Sequence, residues 1–360
     1  MDWKNILIII SSLGGWWAER VATTIWSALN VDNNVSYLTF YYNKNEYQFS
    51  GEKYCLYEKL SNNILIKVWK MFSRAYKIYK YKRKLNIDCC ISFMEESNVP
   101  NILSKLFKHK SKTIVSIRVS VDSMPGLYKW FVKYLYPFAD YIVPNSYEER
   151  DNLIENYWID EWKVVTIYNP LNFSVINKLK NEEIKEQVFD NDKFTFITTW
   201  RLSLQKDQKF LIDVYKKFHE KYKNTQFLIL WEGEEREDLI KYAKWDNSIK
   251  FLWRQDNVFK YLNKSDCFLF SSRYEWFPNS VMEAMACDLP IISTKFKTWI
   301  EELIWDGTWI LIEKNEQKFF DAMKVIYLSM VKKTHYAKSS WKKSLKYWID
   351  SIISQRINIV

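Results

Sequence analysis

Short apolar runs rich in β-forming residues alternate with longer helical stretches along almost the whole chain, in two series. The first series runs from residues 6–10 to residues 164–167, and the second from residues 194–198 to residues 291–293. The polar stretch 169–193 separates them. Strands that are apolar throughout, each followed by a segment long enough to cross back as a helix, indicate parallel sheets covered on both faces. The pattern predicts an α/β protein with two doubly wound, Rossmann-like domains and an inter-domain cleft, whose ligands lie beyond the carboxyl ends of the strands.

Composition excludes several classes of protein. Aromatic residues make up 18% of the chain, far more than a disordered chain carries. Apolar runs such as residues 6–10 are much shorter than the roughly 20 residues of a membrane-spanning helix. The five cysteines form an odd set without a C-x-x-C pair, which favours reduced thiols, and the N-terminal residues do not resemble a secretory signal. We therefore expect a folded cytoplasmic protein that does not cross a membrane.

Positive charge is concentrated in residues 67–84, which we call the basic segment. It contains eight basic residues, no acidic residue and five aromatic residues. A basic, aromatic helix can lie on an anionic membrane surface, and would place the protein peripherally on the inner face of the plasma membrane. The alternative is a solvated basic helix face. Nucleic-acid binding is not expected, because no recognised nucleic-acid-binding module accompanies the segment.

The most informative stretch of sequence is residues 271–304. A strand ends just before it, a loop presents Glu275, and Pro278 with Asn279 opens a helix that carries Glu283 in its first turns. The two carboxylates, eight residues apart, are therefore predicted to face one cleft from a loop and from a helix start. The amides of that helix N-terminus could also receive a phosphate.

With the surrounding E-x-F-P-N and E-A-M-A-C-x-L-P sequences, this stretch resembles the family 4 glycosyltransferases of GT-B fold, which are retaining enzymes that use nucleotide-sugar donors. Glu275 and Glu283 match the family's E-x7-E motif. The resemblance extends over nearly the whole chain. Further similar segments are residues 11–21, 116–146, 164–172, 199–212, 230–237 and 251–262.

The resemblance implies a division of the chain into three parts. An acceptor-side Rossmann-like domain is expected over residues 1–172, and a donor-binding Rossmann-like domain over residues 173–335. A C-terminal helix over residues 336–360 is expected to cross back to the first domain.

The resemblance also implies which residues act on the donor. Arg201 and Lys206 correspond to the family's cations on the donor diphosphate, where they would neutralise the charge of the leaving group without a metal. Glu275 corresponds to the glutamate beside the donor sugar, and Glu283 to the one that accepts hydrogen bonds from the ribose. Arg201, Lys206 and Glu275 are therefore the candidate catalytic residues.

Other donor contacts are expected from both domains. Arg254 would lie along the nucleobase, and Arg118 in the first domain is the candidate on the acceptor side. The loop of the first domain and the start of the helix would both approach the diphosphate. The remaining predicted donor-binding residues are Gly15, Trp16, Phe277, Pro278, Asn279 and Ser280.

We expect neither a metal nor an organic cofactor, and the nucleotide diphosphate sugar acts as co-substrate. Residues 190–192 formally match a D-x-D metal motif, but they precede a strand instead of following one. The three histidines are scattered, without the spacing of zinc ligands or of a nucleophile triad. They are His109, His219 and His335.

The main departure from the family is tryptophan. The chain has 6 glycines and 18 tryptophans, whereas average usage would give about 25 glycines. Nine of the tryptophans stand where the family carries glycine. Glycine serves at those positions because it adopts positive φ and leaves room for a phosphate or sugar. Replacement of glycine by tryptophan at every one of these positions implies a single cause. We hypothesise that the source organism reads the codon UGA as glycine, whereas the sequence was translated with UGA as tryptophan. The tryptophans at family glycine positions are Trp16, Trp17, Trp158, Trp200, Trp231, Trp253, Trp276, Trp299 and Trp309.

The sequence therefore predicts transfer of a sugar, with retention of configuration, from a nucleotide diphosphate donor to a glycan acceptor. A lipid-linked acceptor in cell-surface polysaccharide or glycoconjugate assembly fits the family and the basic segment. If the tryptophans are genuine, the alternative is a non-catalytic, GT-B-shaped protein at a membrane surface. A closer alternative is a related GT-B phosphorylase or epimerase.

Overall fold

The computed structural model divides the chain into two compact units, one ending at Pro170 and the other formed by Leu171–Trp348. No helix among the described residues is long and apolar enough to cross a bilayer. The structure describes residues 3–14, 17–44, 51–61, 63–244, 246–275, 277–296 and 309–348.

The first unit is built on a six-stranded parallel sheet in the order β3-β2-β1-β4-β5-β6. Ile8, at the centre of β1, pairs with Tyr37 of β2 and with Ile91 of β4. The chain order reverses between β1 and β4, which makes their carboxyl ends the switch point of the sheet. The strands are β1 (Asn5–Ile10), β2 (Asn34–Thr39), β3 (Lys53–Cys55), β4 (Cys89–Phe93), β5 (Lys112–Ile117) and β6 (Tyr141–Pro144).

Helices cover this sheet, and several begin at side-chain caps. The Asn63 side chain accepts hydrogen bonds from the amides of Leu65 and Ile66, and Ser146 caps the amide of Glu149. A short 3₁₀ turn, Ser104–Phe107, follows the third helix. The α-helices are α1 (Trp17–Leu29), α2 (Ile64–Lys84), α3 (Glu95–Leu103), α4 (Gly126–Tyr134) and α5 (Tyr147–Glu155).

The second unit repeats the architecture with the strand order β12-β11-β10-β7-β8-β9. All six residues of β8 and all four of β10 are buried. The switch point lies between β7 and β10. The strands are β7 (Phe194–Thr199), β8 (Thr225–Leu230), β9 (Ile249–Leu252), β10 (Cys267–Phe270), β11 (Ile291–Thr294) and β12 (Trp309–Ile312).

The helices of the second unit turn their apolar sides to the sheet and to one another. Phe210, Leu211 and Tyr215 are buried along the 14-residue helix that follows β7. The end of the unit returns to its start, because the amide of Leu171 donates to the carbonyl of Tyr347 at 2.7 Å. The α-helices are α6 (Phe173–Leu179), α7 (Gln208–Lys221), α8 (Arg236–Tyr242), α9 (Phe259–Asn263), α10 (Asn279–Ala286), α11 (Glu316–Leu328) and α12 (Met330–Ser344).

Two doubly wound α/β units with parallel sheets confirm the predicted fold class. One predicted strand is wrong: residues 164–167 form no strand, and Val164 makes a single parallel bridge to Ile142. Residue 336, where a separate C-terminal segment was expected to begin, lies inside α12. Residues 349–360 lie outside the described residues, so the return of the C-terminus to the first domain stays a prediction.

Candidate active site

Three loops meet at the carboxyl edge of the second sheet, around the switch point between β7 and β10. They are residues 200–207 after β7, residues 231–235 after β8, and residues 271–275 with 277–278 after β10. Each follows a buried apolar strand, so the sheet holds the starting point of each loop. Ligands of doubly wound sheets bind at this place.

Hydrogen bonds join the loop after β7 to the loop after β10. The Gln205 side chain donates to the carbonyl of Tyr274 at 2.8 Å, and the amide of Arg273 donates back to the carbonyl of Gln205 at 2.8 Å. The Ser271 hydroxyl donates to the carbonyl of Lys206 at 2.9 Å. These bonds fix the backbone on which the Lys206 side chain stands.

Lys206 and Glu275 form an ion pair across these two loops, with Nζ of Lys206 donating to Oε1 of Glu275. Their side chains are only 16% and 8% exposed. An ammonium group has three N–H donors and a carboxylate has two acceptor oxygens. The pair can therefore stay intact while lysine donates to a phosphate and glutamate accepts from a hydroxyl.

Arg201, just beyond β7, is an exposed cation of the site. Its guanidinium contacts Oε2 of Glu234 through Nε and Nη2, each at 3.1 Å, and both side chains are more than half exposed. Gln208 donates to the Arg201 carbonyl at 2.9 Å and holds the backbone in place. Exposed ion pairs contribute about 0–1 kcal/mol, so an anionic ligand can take the place of Glu234 at little cost.

Gly233 lets the loop after β8 approach the loop after β7. A Cβ atom on Gly233 would lie 2.1 Å from the carbonyl oxygen of Leu202 and 2.6 Å from its nitrogen. The Leu202 amide donates to Glu232, and its carbonyl accepts from the amide of Glu235. This contact seats Leu202, the neighbour of Arg201, against the loop that carries Glu234.

The start of α10 supplies the second glutamate of the E-x7-E spacing. Glu283 lies in the second turn and is buried. The carbonyl of Pro278 accepts from the amides of Val281 and Met282 at 3.1 and 3.3 Å, which begins the helix. Phe277 is buried edge-on against Tyr347, with ring centroids 5.7 Å apart. Asn279 and Ser280 form the first turn of α10.

Arg254, the candidate nucleobase contact, follows β9. Its guanidinium carbon lies 5.8 Å from the ring centroid of Trp231, the first residue after β8. The backbone of Trp231 has φ of 125°, in the region that side chains with a Cβ rarely adopt. A glycine would adopt this φ without strain.

Other tryptophans of the predicted glycine set also fit poorly. Trp158 has φ of 54°, and the buried indole nitrogens of Trp200 and Trp309 have no hydrogen-bond partner within the described part of the chain. A buried polar group without a partner costs about 1–3 kcal/mol. Trp200 lies edge-on against Phe270 of β10, with ring centroids 4.2 Å apart.

The structure places Arg118 at the end of β5 in the first unit, with its guanidinium buried. Nη1 donates to the carbonyl of Ile167 at 2.8 Å and to Oδ1 of Asn169 at 3.2 Å, and burial lowers the pKa of Arg118 to about 9. These bonds hold the chain just before the boundary between the units. A contact between Arg118 and an acceptor would require this guanidinium to be uncovered.

The D-x-D triplet faces lysines. The Asp190 carboxylate contacts Nζ of Lys193 at 2.8 Å and Nζ of Lys250 at 3.2 Å, and these bonds lower its pKa. Gly15 and Trp16, the predicted donor contacts of the first domain, lie outside the described residues, as does Trp276.

Lys206 and Glu275 are thus two predicted site residues that the structure brings into direct contact. Ser271, Gly233 and Glu234 belong to the same site but were not singled out as functional residues from the sequence. A serine hydroxyl, a glycine and a surface glutamate are common in loops. Their role is visible only once the three loops are side by side.

Comparison with known proteins gives the site its context. The family model described as glycosyl transferases group 1 matches residues 180–341. An uncharacterized glycosyltransferase of Methanocaldococcus jannaschii is 33% identical over 299 residues, covering 78% of this chain and 74% of that protein. A Campylobacter jejuni protein is 28% identical over 337 residues, covering 90% of each chain. It is the N-acetylgalactosamine-N,N'-diacetylbacillosaminyl-diphospho-undecaprenol 4-alpha-N-acetylgalactosaminyltransferase.

Solved structures show the same fold. The structure of Anabaena HepE in complex with UDP and glucose has a TM-score of 0.77 at 15% identity, and the match covers 99% of this chain and 98% of that one. The two parallel sheets match the fold of this structure, and the relative from M. jannaschii shows the family. The chain belongs to the group 1 glycosyl transferases, with the GT-B fold.

Proposed function

We propose that the protein is a retaining, metal-independent family 4 glycosyltransferase that moves a sugar from a nucleotide diphosphate donor to a glycan acceptor. The observation that carries this proposal is the Lys206–Glu275 pair at the switch point of the second sheet, with Arg201 exposed beside it. Both cations and the carboxylate stand at positions that match the donor residues of the family. The complex of HepE with UDP and glucose supports a uridine nucleotide as the first donor to test.

Each residue of the site has a chemical task in this proposal. Arg201 leaves Glu234 and, with Lys206, binds the diphosphate, where charge grows as the bond from the sugar to the nucleotide breaks. Glu275 accepts hydrogen bonds from the sugar and favours positive charge at its anomeric carbon. The acceptor hydroxyl attacks on the face from which the nucleotide departs, its proton passes to the departing phosphate oxygen, and configuration is retained. Glu283 accepts from the ribose hydroxyls, and Arg254 lies along the base.

We also propose that the acceptor is a lipid-linked glycan and that the reaction takes place at the cytoplasmic face of a membrane. The C. jejuni relative supports this, because its name states a diphospho-undecaprenol substrate. Its identity of 28% extends over 90% of both chains, so the likeness includes the first unit as well as the donor unit.

The tryptophans at family glycine positions are proposed to be glycine in the natural protein. Trp231 and Trp158 support this through their positive φ, and Trp200 through its unpartnered indole nitrogen. Mass spectrometry of the natural protein is the direct check. UGG codons at Trp200 and Trp231 would contradict the proposal.

Nucleotide binding tests the proposed function. A chain with glycine at the nine positions is titrated calorimetrically with UDP and with GDP. We expect binding of one of them, weakened at least ten-fold in Arg201→Ala, because a charge-assisted hydrogen bond contributes about 1.5–3 kcal/mol. Leu204→Ala is the matched control, since Leu204 is exposed on the same loop. No binding of either nucleotide would favour the non-catalytic alternative.

A further inference from the structure

The side of α2 that faces solvent is apolar and aromatic. Leu65, Trp69, Phe72 and Tyr76 recur at helical spacing, and they are 76%, 67%, 56% and 46% exposed. A helix on a soluble protein ordinarily turns such a stripe toward the core. We call these four residues, together with Phe107, the outer face of α2.

The opposite side of α2 buries cations. Arg74 is 3% exposed and Lys82 is 1% exposed. The Arg74 guanidinium donates to Glu58 at 2.9 Å, to Glu96 at 2.9 Å and to the Tyr41 hydroxyl at 2.8 Å. The expectation that the basic segment as a whole faces a membrane is therefore wrong for these two residues.

The bonds of Arg74 also show where α2 is anchored. Tyr41 follows β2, Glu58 follows β3 and Glu96 follows β4. All three acceptors thus come from carboxyl ends of strands in the first sheet. Ligands of doubly wound sheets bind at that edge, so the middle of α2 is fixed to the edge where the first unit would hold a substrate.

The outer face continues toward the C-terminal end of α2 as aromatic rings covered by cations. Phe107 stacks on Tyr79 with ring centroids 5.1 Å apart, and lies 5.5 Å from Tyr76. Lys80 lies 4.7 Å above the Tyr76 ring, and the Arg83 guanidinium 5.9 Å from the Tyr79 ring. Lys80 and Arg83 are exposed, and no acidic residue occurs within α2.

We propose that the outer face of α2 is a docking surface for a bilayer that contains anionic lipids. The helix has 21 residues, about 30 Å at 1.5 Å per residue, and would lie in the plane of the interface. Leu65, Phe72 and the aromatic rings enter the headgroup region, while Lys80 and Arg83 attract anionic lipid. In its link to a lipid-linked acceptor, this inference rests on the proposed function, because the docked helix would bring the edge of the first sheet to the membrane.

Vesicle co-sedimentation of the full chain tests the surface. The probes are phosphatidylcholine vesicles with and without phosphatidylglycerol. Leu65→Ser with Phe72→Ser should weaken partitioning at least ten-fold, since both side chains are more than half exposed and would enter the headgroup region. Leu328→Ser with Val331→Ser is the matched control, because these residues are 59% and 80% exposed in the second unit. This control should bind as the native chain does.

A second pair of changes separates charge from apolar contact. Lys80→Gln with Arg83→Gln should weaken binding to anionic vesicles at least five-fold and leave binding to neutral vesicles unchanged. Native-like binding by the Leu65 and Phe72 double variant would overturn the docking surface. The docking surface would also be overturned if the native chain bound no vesicles and formed an oligomer that this double variant alone disrupts. A second copy of the chain would then cover the face.

Transfer to a soluble, short-chain acceptor separates this inference from the proposed function. The Leu65 and Phe72 double variant should transfer sugar to it at the native rate, since the donor residues are untouched. Loss of that transfer together with loss of vesicle binding would show that Leu65 and Phe72 support the fold of the unit, and this result would overturn the docking surface. Vesicle binding by a native chain that transfers sugar to no acceptor would support the surface and contradict the proposed function.

Discussion

Lys206 and Glu275, separated by 69 residues in the chain, form a largely buried ion pair that joins the loop after β7 to the loop after β10. The pair stands at the switch point of the second sheet. It combines a structural task with a proposed chemical one, because the same two groups hold the loops together and face the place where a donor would bind.

A double-mutant cycle separates these two tasks. Lys206→Met leaves the Glu275 carboxylate buried without its cation, and removing one partner of a buried pair costs about 3–5 kcal/mol. Adding Glu275→Gln removes the uncompensated charge and should recover much of the lost free energy of unfolding, but not sugar transfer. Denaturant unfolding and a transfer assay measure the two outcomes. Independent, additive losses of stability would show that the ion pair is not formed in solution.

Gly233→Ala should disturb the site from a distance. The added Cβ would overlap the backbone of Leu202, so one loop must move, and we expect both a lower melting temperature and weaker nucleotide binding. Gly126→Ala is the matched control, because a Cβ there meets nothing within 4 Å, so its melting temperature and nucleotide binding should stay close to those of the native chain. Equal behaviour of the two variants would contradict the close approach of the loops.

Trp158→Gly tests the proposal on tryptophan by stability alone. Trp158 has φ of 54° just after α5 and is 71% exposed. Glycine should leave the chain at least as stable, because removing about 1–2 kcal/mol of left-handed strain offsets the backbone entropy that glycine costs and the lost contact with the Lys133 ammonium, 3.9 Å from the indole ring. Trp162 is similarly exposed, at 67%, and does not have positive φ. Trp162→Gly should destabilise, because glycine loses more backbone entropy on folding. Denaturant unfolding of both variants compares them, and a loss of stability in Trp158→Gly would count against the proposal.

Glu95→Gln tests a buried carboxyl at the carboxyl end of β4. Burial raises the pKa of Glu95 above its ordinary value of 4.5, and Oε1 has no hydrogen-bond partner among the described residues. Above pH 4.5 the unfolded chain loses the Glu95 proton while the folded chain retains it, so the Glu95 carboxyl contributes less stability as the pH rises. Glu95→Gln should therefore melt higher than the native chain at pH 7, with the difference vanishing below pH 4.5.

Glu96 provides the control for that experiment. Its carboxylate accepts hydrogen bonds from Arg74 at 2.9 Å and from Tyr41 at 2.6 Å, so Glu96→Gln should lower stability at pH 7. Melting curves across the pH range distinguish the two neighbours. A pH-independent difference for Glu95→Gln would show that its carboxyl is hydrated in the folded state.

The fold could be predicted from the sequence because apolar strands such as β4, β8 and β10 are buried along their whole length. Lys206 and Glu275 could be predicted as site residues because both lie in segments that resemble the family. The role of Gly233 could not be predicted, since it depends on the distance to Leu202. The outer face of α2 could not be predicted from helical periodicity. Leu65, Phe72 and Tyr76 form a stripe of the kind that a helix usually buries. The opposite side is held to the sheet because Arg74 binds acceptors at three strand ends, so the stripe faces solvent.

Sugar transfer by the chain with glycine at the nine positions tests the central claim most directly. Labelled sugar is supplied as the nucleotide diphosphate sugar, and its transfer to a lipid-linked glycan is measured for the native site, Glu275→Ala and Leu204→Ala. We predict acceptor-dependent transfer that Leu204→Ala preserves and that Glu275→Ala lowers at least a hundred-fold, the scale on which a single transition-state contact acts. Transfer by Glu275→Ala within a few-fold of the native rate would contradict the account.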